Sequence, residues 1–207
     1  MKISILLPYK ENFSVNKSGA VALFVNDLIK HSPQKKNIYV YGKTDENKYL
    51  DKNYINLNFK EKFLKSNSKI YINNFLIHEQ KNNSDIIEVH NRPAYIDLIS
   101  KNTKSKIILY FHNDPLSMNG SKTLDERNNL LSIVDHFIFN SKWSLKRFKV
   151  GIKNSDLFEN NFSVIYQSVN KPKIDFNKKK KIISFIGKLN KAKGYDVFGN
   201  AIIKILS

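Results

Sequence analysis

Two histidines close apolar runs in this chain: His90 ends "DIIEVH" and His112 ends "SKIILYFH". Polar residues follow each, Asn91 and Arg92 after the first, Asn113 and Asp114 after the second. A third run, "HFIFN", leads into Ser141, and the first, "KISILLP", opens a polar loop that reaches Ser18 and Gly19. Imidazoles exchange protons near neutral pH. A glycine at the start of a helix lets backbone N–H groups come close to a phosphate. Towards the end, "IISFIGKLNKAKG" sets Lys188 and Lys193 on either side of a helix start. Two cations there favour an anion, most naturally a diphosphate. Each group also has a plainer use. Gly19 and Ser141 fit helix caps, His90 and His112 fit ordinary rim histidines, Asn91 and Arg92 fit a turn before Pro93, and the lysines fit a solvated turn. His31, His78 and His136 are read as structural or surface residues.

The elements that must position these groups alternate. Strands are expected at 2–7, 37–42, 85–90, 105–112, 136–140 and 162–167, with a weaker one near "YINLNF". Helices are expected from Ala20 to His31 and over 69–80, 93–101, 123–134 and the stretch after Ser141. Thr123 with Glu126 three residues on forms a capping box. Such alternation implies a Rossmann-like, doubly wound, mostly parallel α/β sheet with crossover helices on both faces. Ligands of these sheets bind at the carboxyl ends of the strands. That rim is where the two histidines, Asn91, Arg92, Asn113, Ser141 and Gly19 all fall. Residues 1–167 make up this domain, 168–180 read as a linker, and "IISFIG" followed by a helix reads as an isolated strand-helix unit over 181–207.

With 207 residues the chain holds one α/β domain and a remainder. There is no Cys, which excludes thiolate metal sites and Cys nucleophiles. No apolar run is long enough to span a membrane, and the default location is the cytoplasm. The formal charge is +17, which raises nucleic acid or an anionic membrane as partners. Only Arg92, Arg127 and Arg147 are arginines. Base readers lean on the planar Arg fork, so no nucleic-acid partner is expected; peripheral contact with an anionic membrane, at the inner face of the plasma membrane, stays open. A non-catalytic basic module is the alternative reading of the charge. The G-x-G-x-x-G, Walker, D-x-D, H-E-x-x-H and G-x-S-x-G patterns are all missing.

The order of these segments resembles GT-B glycosyltransferases of family 4. "ISILLPY…SGAVALFVNDLIKH" is similar to their first strand, glycine loop and helix. "DIIEVHNRPAYIDLI" and "KIILYFHND" are similar to their histidine-ending strands, and "VDHFIFNSKWSLKRF" to their strand-serine-helix segment. "IISFIGKLNKAKGYDVF" resembles the start of their nucleotide-binding domain, with Lys188 in place of an arginine and one glycine, Gly19, in a loop that usually has two. The resemblance implies the N-terminal half of a GT-B fold, truncated early in its C-terminal donor domain and inactive alone. It implies sugar transfer from a nucleotide-diphosphate sugar to a glycan or lipid-linked acceptor, with retention of configuration, in cell-envelope polysaccharide or lipopolysaccharide synthesis. His112 would be catalytic. Gly19, Lys188 and Lys193 would bind donor phosphate. His90, Asn91, Arg92, Asn113 and Ser141 would contact acceptor or sugar. No cofactor and no metal are expected.

Overall fold

A computed structural model describes residues 1–60, 66–168, 182–187, 189 and 191–206. The chain divides into two compact units, Met1–Ser168 and Val169–Ser207.

The first unit is a seven-stranded parallel sheet. Its strands are β1 (Ile3–Leu6), β2 (Ile38–Gly42), β3 (Tyr54–Asn56), β4 (Ile86–His90), β5 (Lys106–Phe111), β6 (His136–Phe139) and β7 (Phe162–Val164), in the order β3-β2-β1-β4-β5-β6-β7. The order reverses at β1, which lies between β2 and β4. This is the α/β Rossmann-like fold that the alternation predicts. The connecting helices are α1 (Ala20–His31), α2 (Asn67–Asn82), α3 (Ile96–Asn102), α4 (Leu124–Ile133) and α5 (Lys142–Lys149).

Strand side chains alternate between faces, and the two faces are covered unequally. Leu6, Tyr41, Ile87, Val89, Leu109, Phe111, Phe137 and Phe139 pack with buried residues of α2, α3, α4 and α5 in the larger core. Ile5, Leu7, Ile38 and Val40 pack on the other face beneath Val21, Ala22, Val25 and Ile29 of α1. Glu88 pairs in register with Ile5, and His90 with Tyr110. The side chains of Glu88, His90, Tyr110 and, two residues on, His112 therefore share the α1 face, so β4 and β5 carry polar groups in exchange for part of that core.

The second unit contains α6 (Tyr195–Leu206), preceded by a helical turn at Lys191–Lys193 and by Gly194 with φ +71°. Phe185 and Phe198 meet with ring centroids 5.5 Å apart. The strand expected at "IISFIG", residues 182–187, is not formed. Ile182, Ile183 and Ile186 are exposed, Ile186 by 95%. A strand satisfies its backbone groups through a neighbour's ladder, and no described strand pairs with this segment. The expected linker, 168–180, lies outside the described residues except for Ser168, and so does Lys188.

Candidate functional site

The carboxyl ends of β4 and β5 place His90 and His112 side by side. His90 is fully buried and His112 is 9% exposed. Four side chains form one hydrogen-bonded string. Glu88 Oε1 is 2.6 Å from His90 Nε2, His90 Nδ1 is 2.8 Å from His112 Nε2, and His112 Nδ1 is 2.9 Å from Gln167 Nε2. The histidine nitrogens are spent on this string instead of converging on a common point. Tyr110 stacks on both rings, at 5.2 Å from His90 and 4.3 Å from His112, and Phe24 of α1 closes edge-on against His112 at 5.3 Å. The Tyr110 hydroxyl donates to the Ile165 carbonyl at 3.0 Å. Burial, with the Glu88 charge added, holds that hydroxyl well above the ordinary phenol range.

Main-chain contacts fix the rim. Asn91 adopts the left-handed conformation at φ +57°, one that Asn tolerates better than most side chains. From there its Oδ1 accepts from the backbone N–H groups of His112 (3.1 Å) and Asn113 (3.3 Å). Asn140 Nδ2 donates to the His112 carbonyl at 2.7 Å. The residue that presents the second imidazole is thus clamped from β4 and from the end of β6. Asp114 then takes a two-pronged bond from Arg147 of α5, with Nη2 to Oδ2 at 3.0 Å and Nε to Oδ1 at 3.2 Å. The guanidinium beside it holds the Asp114 carboxyl below the usual range.

An open groove of about 500 Å³ lies beside this rim, a volume that accommodates a sugar. Ser66, Ser68, Asn91, Arg92, Ser117 and Asn119 supply its polar lining. Arg92 Nη1 donates to the Asn91 carbonyl at 2.8 Å.

Of the residues singled out in the sequence, His90, Asn91, Arg92, His112 and Asn113 come together here. Ser141 serves α5: its Oγ accepts from Ser144 N–H at 3.1 Å as the helix cap. Gly19 is the N-cap of α1. The first turn of α1 is served by a carboxylate, since Glu11 Oε1 accepts from the Ala22 N–H at 3.0 Å. A Cβ on Gly19 would lie 2.1 Å from that oxygen. Lys193 is exposed in the second unit. Sequence reasoning missed Glu88, Gln167 and Glu11. Glu88 had a signal: a carboxylate two residues before His90 in an apolar strand must point to the same face, and when buried it needs partners.

Burial, and then the neighbouring His90, push the His112 imidazole down to about 3, against about 6.5 for an unperturbed histidine. Above pH 6.5 neither the folded nor the unfolded chain protonates it. As the pH falls from 6.5 towards 3, the unfolded chain takes a proton that folded His112 refuses. Stability is therefore lost over that window, by at most ~1.4 kcal/mol per pH unit from this group. Urea titrations at pH 7, 6 and 5 are expected to show this loss, and His112→Gln is expected to flatten it.

No family model and no curated protein matches the chain. Solved structures do. HepE of Anabaena, solved in complex with UDP and glucose, is 14% identical with a TM-score of 0.55; the match covers 82% of this chain and 45% of HepE. Sucrose-phosphate synthase of Thermosynechococcus elongatus is 11% identical with a TM-score of 0.53, covering 82% of this chain and 49% of the synthase. The chain spans about half the length of these proteins. Among the described residues no helix is long and apolar enough to cross a membrane. At these identities the likeness shows the fold: this chain shares an α/β Rossmann-like domain with both proteins.

Proposed function

We propose that this chain supplies the acceptor side of a GT-B glycosyltransferase of the family 4 type, acting on a nucleotide-diphosphate sugar. The observation that supports it most is the meeting of His90, Asn91 and Arg92 with His112 and Asn113 on one strand rim, beside a polar groove. The shared fold of a protein solved with UDP and glucose adds to it. In this reading His112 contacts the transferred sugar, and the groove at Arg92 receives hydroxyl groups of a glycan or lipid-linked acceptor. Lys188 and Lys193 neutralise charge developing on the leaving diphosphate, which is electrostatic stabilisation of the transition state. Gly19 keeps the start of α1 open to backbone approach by phosphate, and Glu11 must then leave the Ala22 N–H. Transfer proceeds with retention and serves envelope polysaccharide synthesis, at the cytoplasmic membrane face.

The test joins a complete donor domain to this chain and follows transfer of labelled glucose from UDP-glucose and related donors to glycan and lipid-linked acceptors. His112→Ala and Lys193→Ala are each expected to lower kcat/KM by about a hundredfold to a thousandfold, the range for losing one polar contact to a transition state. Unchanged transfer in both variants would show the site to be assigned wrongly.

A further inference from the structure

The order of donors and acceptors along the buried string is determined from one end. A carboxylate accepts and cannot donate. The bond at 2.6 Å between Glu88 Oε1 and His90 Nε2 therefore needs its proton on Nε2. A neutral imidazole carries one N–H, so His90 Nδ1 is bare. The 2.8 Å bond to His112 Nε2 then requires the proton on the His112 side. His112 Nδ1 is bare in turn, and its partner at 2.9 Å must be a donor, which the Gln167 amide N–H₂ provides. With both rings neutral, every member is satisfied in this arrangement. Reversing it would need a protonated Glu88 and the amide of Gln167 turned over.

The two ends differ in setting. Glu88 and His90 are buried, with Phe24 and Tyr110 walling the rings, whereas Gln167 is exposed. Charge fixed at the inner end sets the pattern, while the outer partner can leave. We propose that Glu88 is a positioning residue that acts through His90 to hold His112 in its Nε2–H form, with a bare Nδ1 offered at the rim. Gln167 occupies that lone pair in the unliganded protein. A ligand group that replaces it must donate a proton, so it is a hydroxyl or an amine and not an ether or carbonyl oxygen. The protonation pattern stands independently of the sugar-transfer reading; choosing a hydroxyl over an amine rests on that reading.

The experiment needs no substrate. Imidazole 15N–1H correlation spectra of the ¹⁵N-histidine-labelled chain at pH 7.5 report which ring nitrogen carries each proton. The expected result is a bare Nδ1 and a protonated Nε2 for both His90 and His112. In Glu88→Leu both rings are expected to move to positions averaged between the two forms. In Gln167→Leu, an exposed change that leaves the core intact, both are expected to stay as in the unaltered chain. An Nδ1–H form of His112 in the unaltered chain would overturn the proposal. So would unchanged spectra in Glu88→Leu, or release of the tautomers in Gln167→Leu, which would place control at the rim. Should Glu88→Leu not fold, the other two spectra decide.

Discussion

Replacing Arg127 with Met is expected to lower the stability of the first unit by about 3 kcal/mol, because four main-chain carbonyls lose a charged donor at once. Arg127 is 4% exposed. Its Nη1 donates to the carbonyls of Ser121, Lys122 and Thr123, at 3.1, 2.9 and 3.0 Å, and its Nη2 to that of Val150 at 2.7 Å. The first three close the turn entering α4, and the fourth lies at the end of α5. One side chain thus ties together the entry of one helix and the exit of the next, on either side of β6. Met matches the volume of the stem but donates nothing. Arg127→Lys keeps the charge without the fork, and about half the loss is expected. Urea denaturation followed by circular dichroism checks both. The midpoint should fall with little change in slope if only stability has changed, and a midpoint equal to that of the unaltered chain in Arg127→Met would refute the bonding role.

Gly120→Ala is expected to cost about 3 kcal/mol, since it combines an unfavourable backbone conformation with a collision. Gly120 has φ +90°, and a Cβ there would lie 2.4 Å from Ala94 N, 2.7 Å from Ala94 Cα and 2.8 Å from the Pro93 carbonyl carbon. All three are main-chain atoms, so no rotamer change relieves them. The loop after β5 must lift away from the turn after β4, and the groove between Arg92 and Asn119 changes shape. Gly151→Ala is the control. Its φ is +78°, but the atoms a Cβ would meet belong to the Leu124 side chain, at 3.7 and 3.9 Å, so a loss of about 1 kcal/mol is expected. Denaturant midpoints of the two variants separate conformational strain from collision. Equal losses would show that the close approach at Ala94 carries no weight.

Much of this architecture is legible in the sequence because parallel strands buried on both faces read as short apolar runs. "IILYF" and "FIF" announce β5 and β6, and the residues that end the runs fall on one rim by topology alone. The helix expected over 69–80 extends from Asn67 to Asn82, a difference of the size that frayed ends produce. The site was half legible. His90 and His112 stand at strand ends, but their pairing depends on the register of β4 with β5. Gln167 reaches His112 across 55 positions, a contact that no local pattern encodes. Glu11 lies in a polar loop where any of several side chains could have turned back to α1. The segment from Ile182 to Ile186 has strand composition without a described partner strand. Composition reports what a strand can be made of; the ladder that makes it a strand comes from elsewhere in the fold.

The reversal of strand order at β1 has a consequence for synthesis. β1, β2 and β3 form one flank of the sheet with α1 packed on them, and all are contributed by residues up to Asn56. Translation proceeds at ~5–20 residues per second, so this flank leaves the ribosome seconds before β4. During that interval the β4-facing edge of β1 is unpaired, and Ile3–Leu6 presents an apolar strand with open hydrogen-bonding groups. Such an edge invites pairing with another nascent chain. β4 brings Glu88 to that edge opposite Ile5, so the strand that ends the exposure also delivers the buried carboxylate. The fourth strand of the growing sheet and the inner end of its proton-ordered string are therefore laid down in the same event.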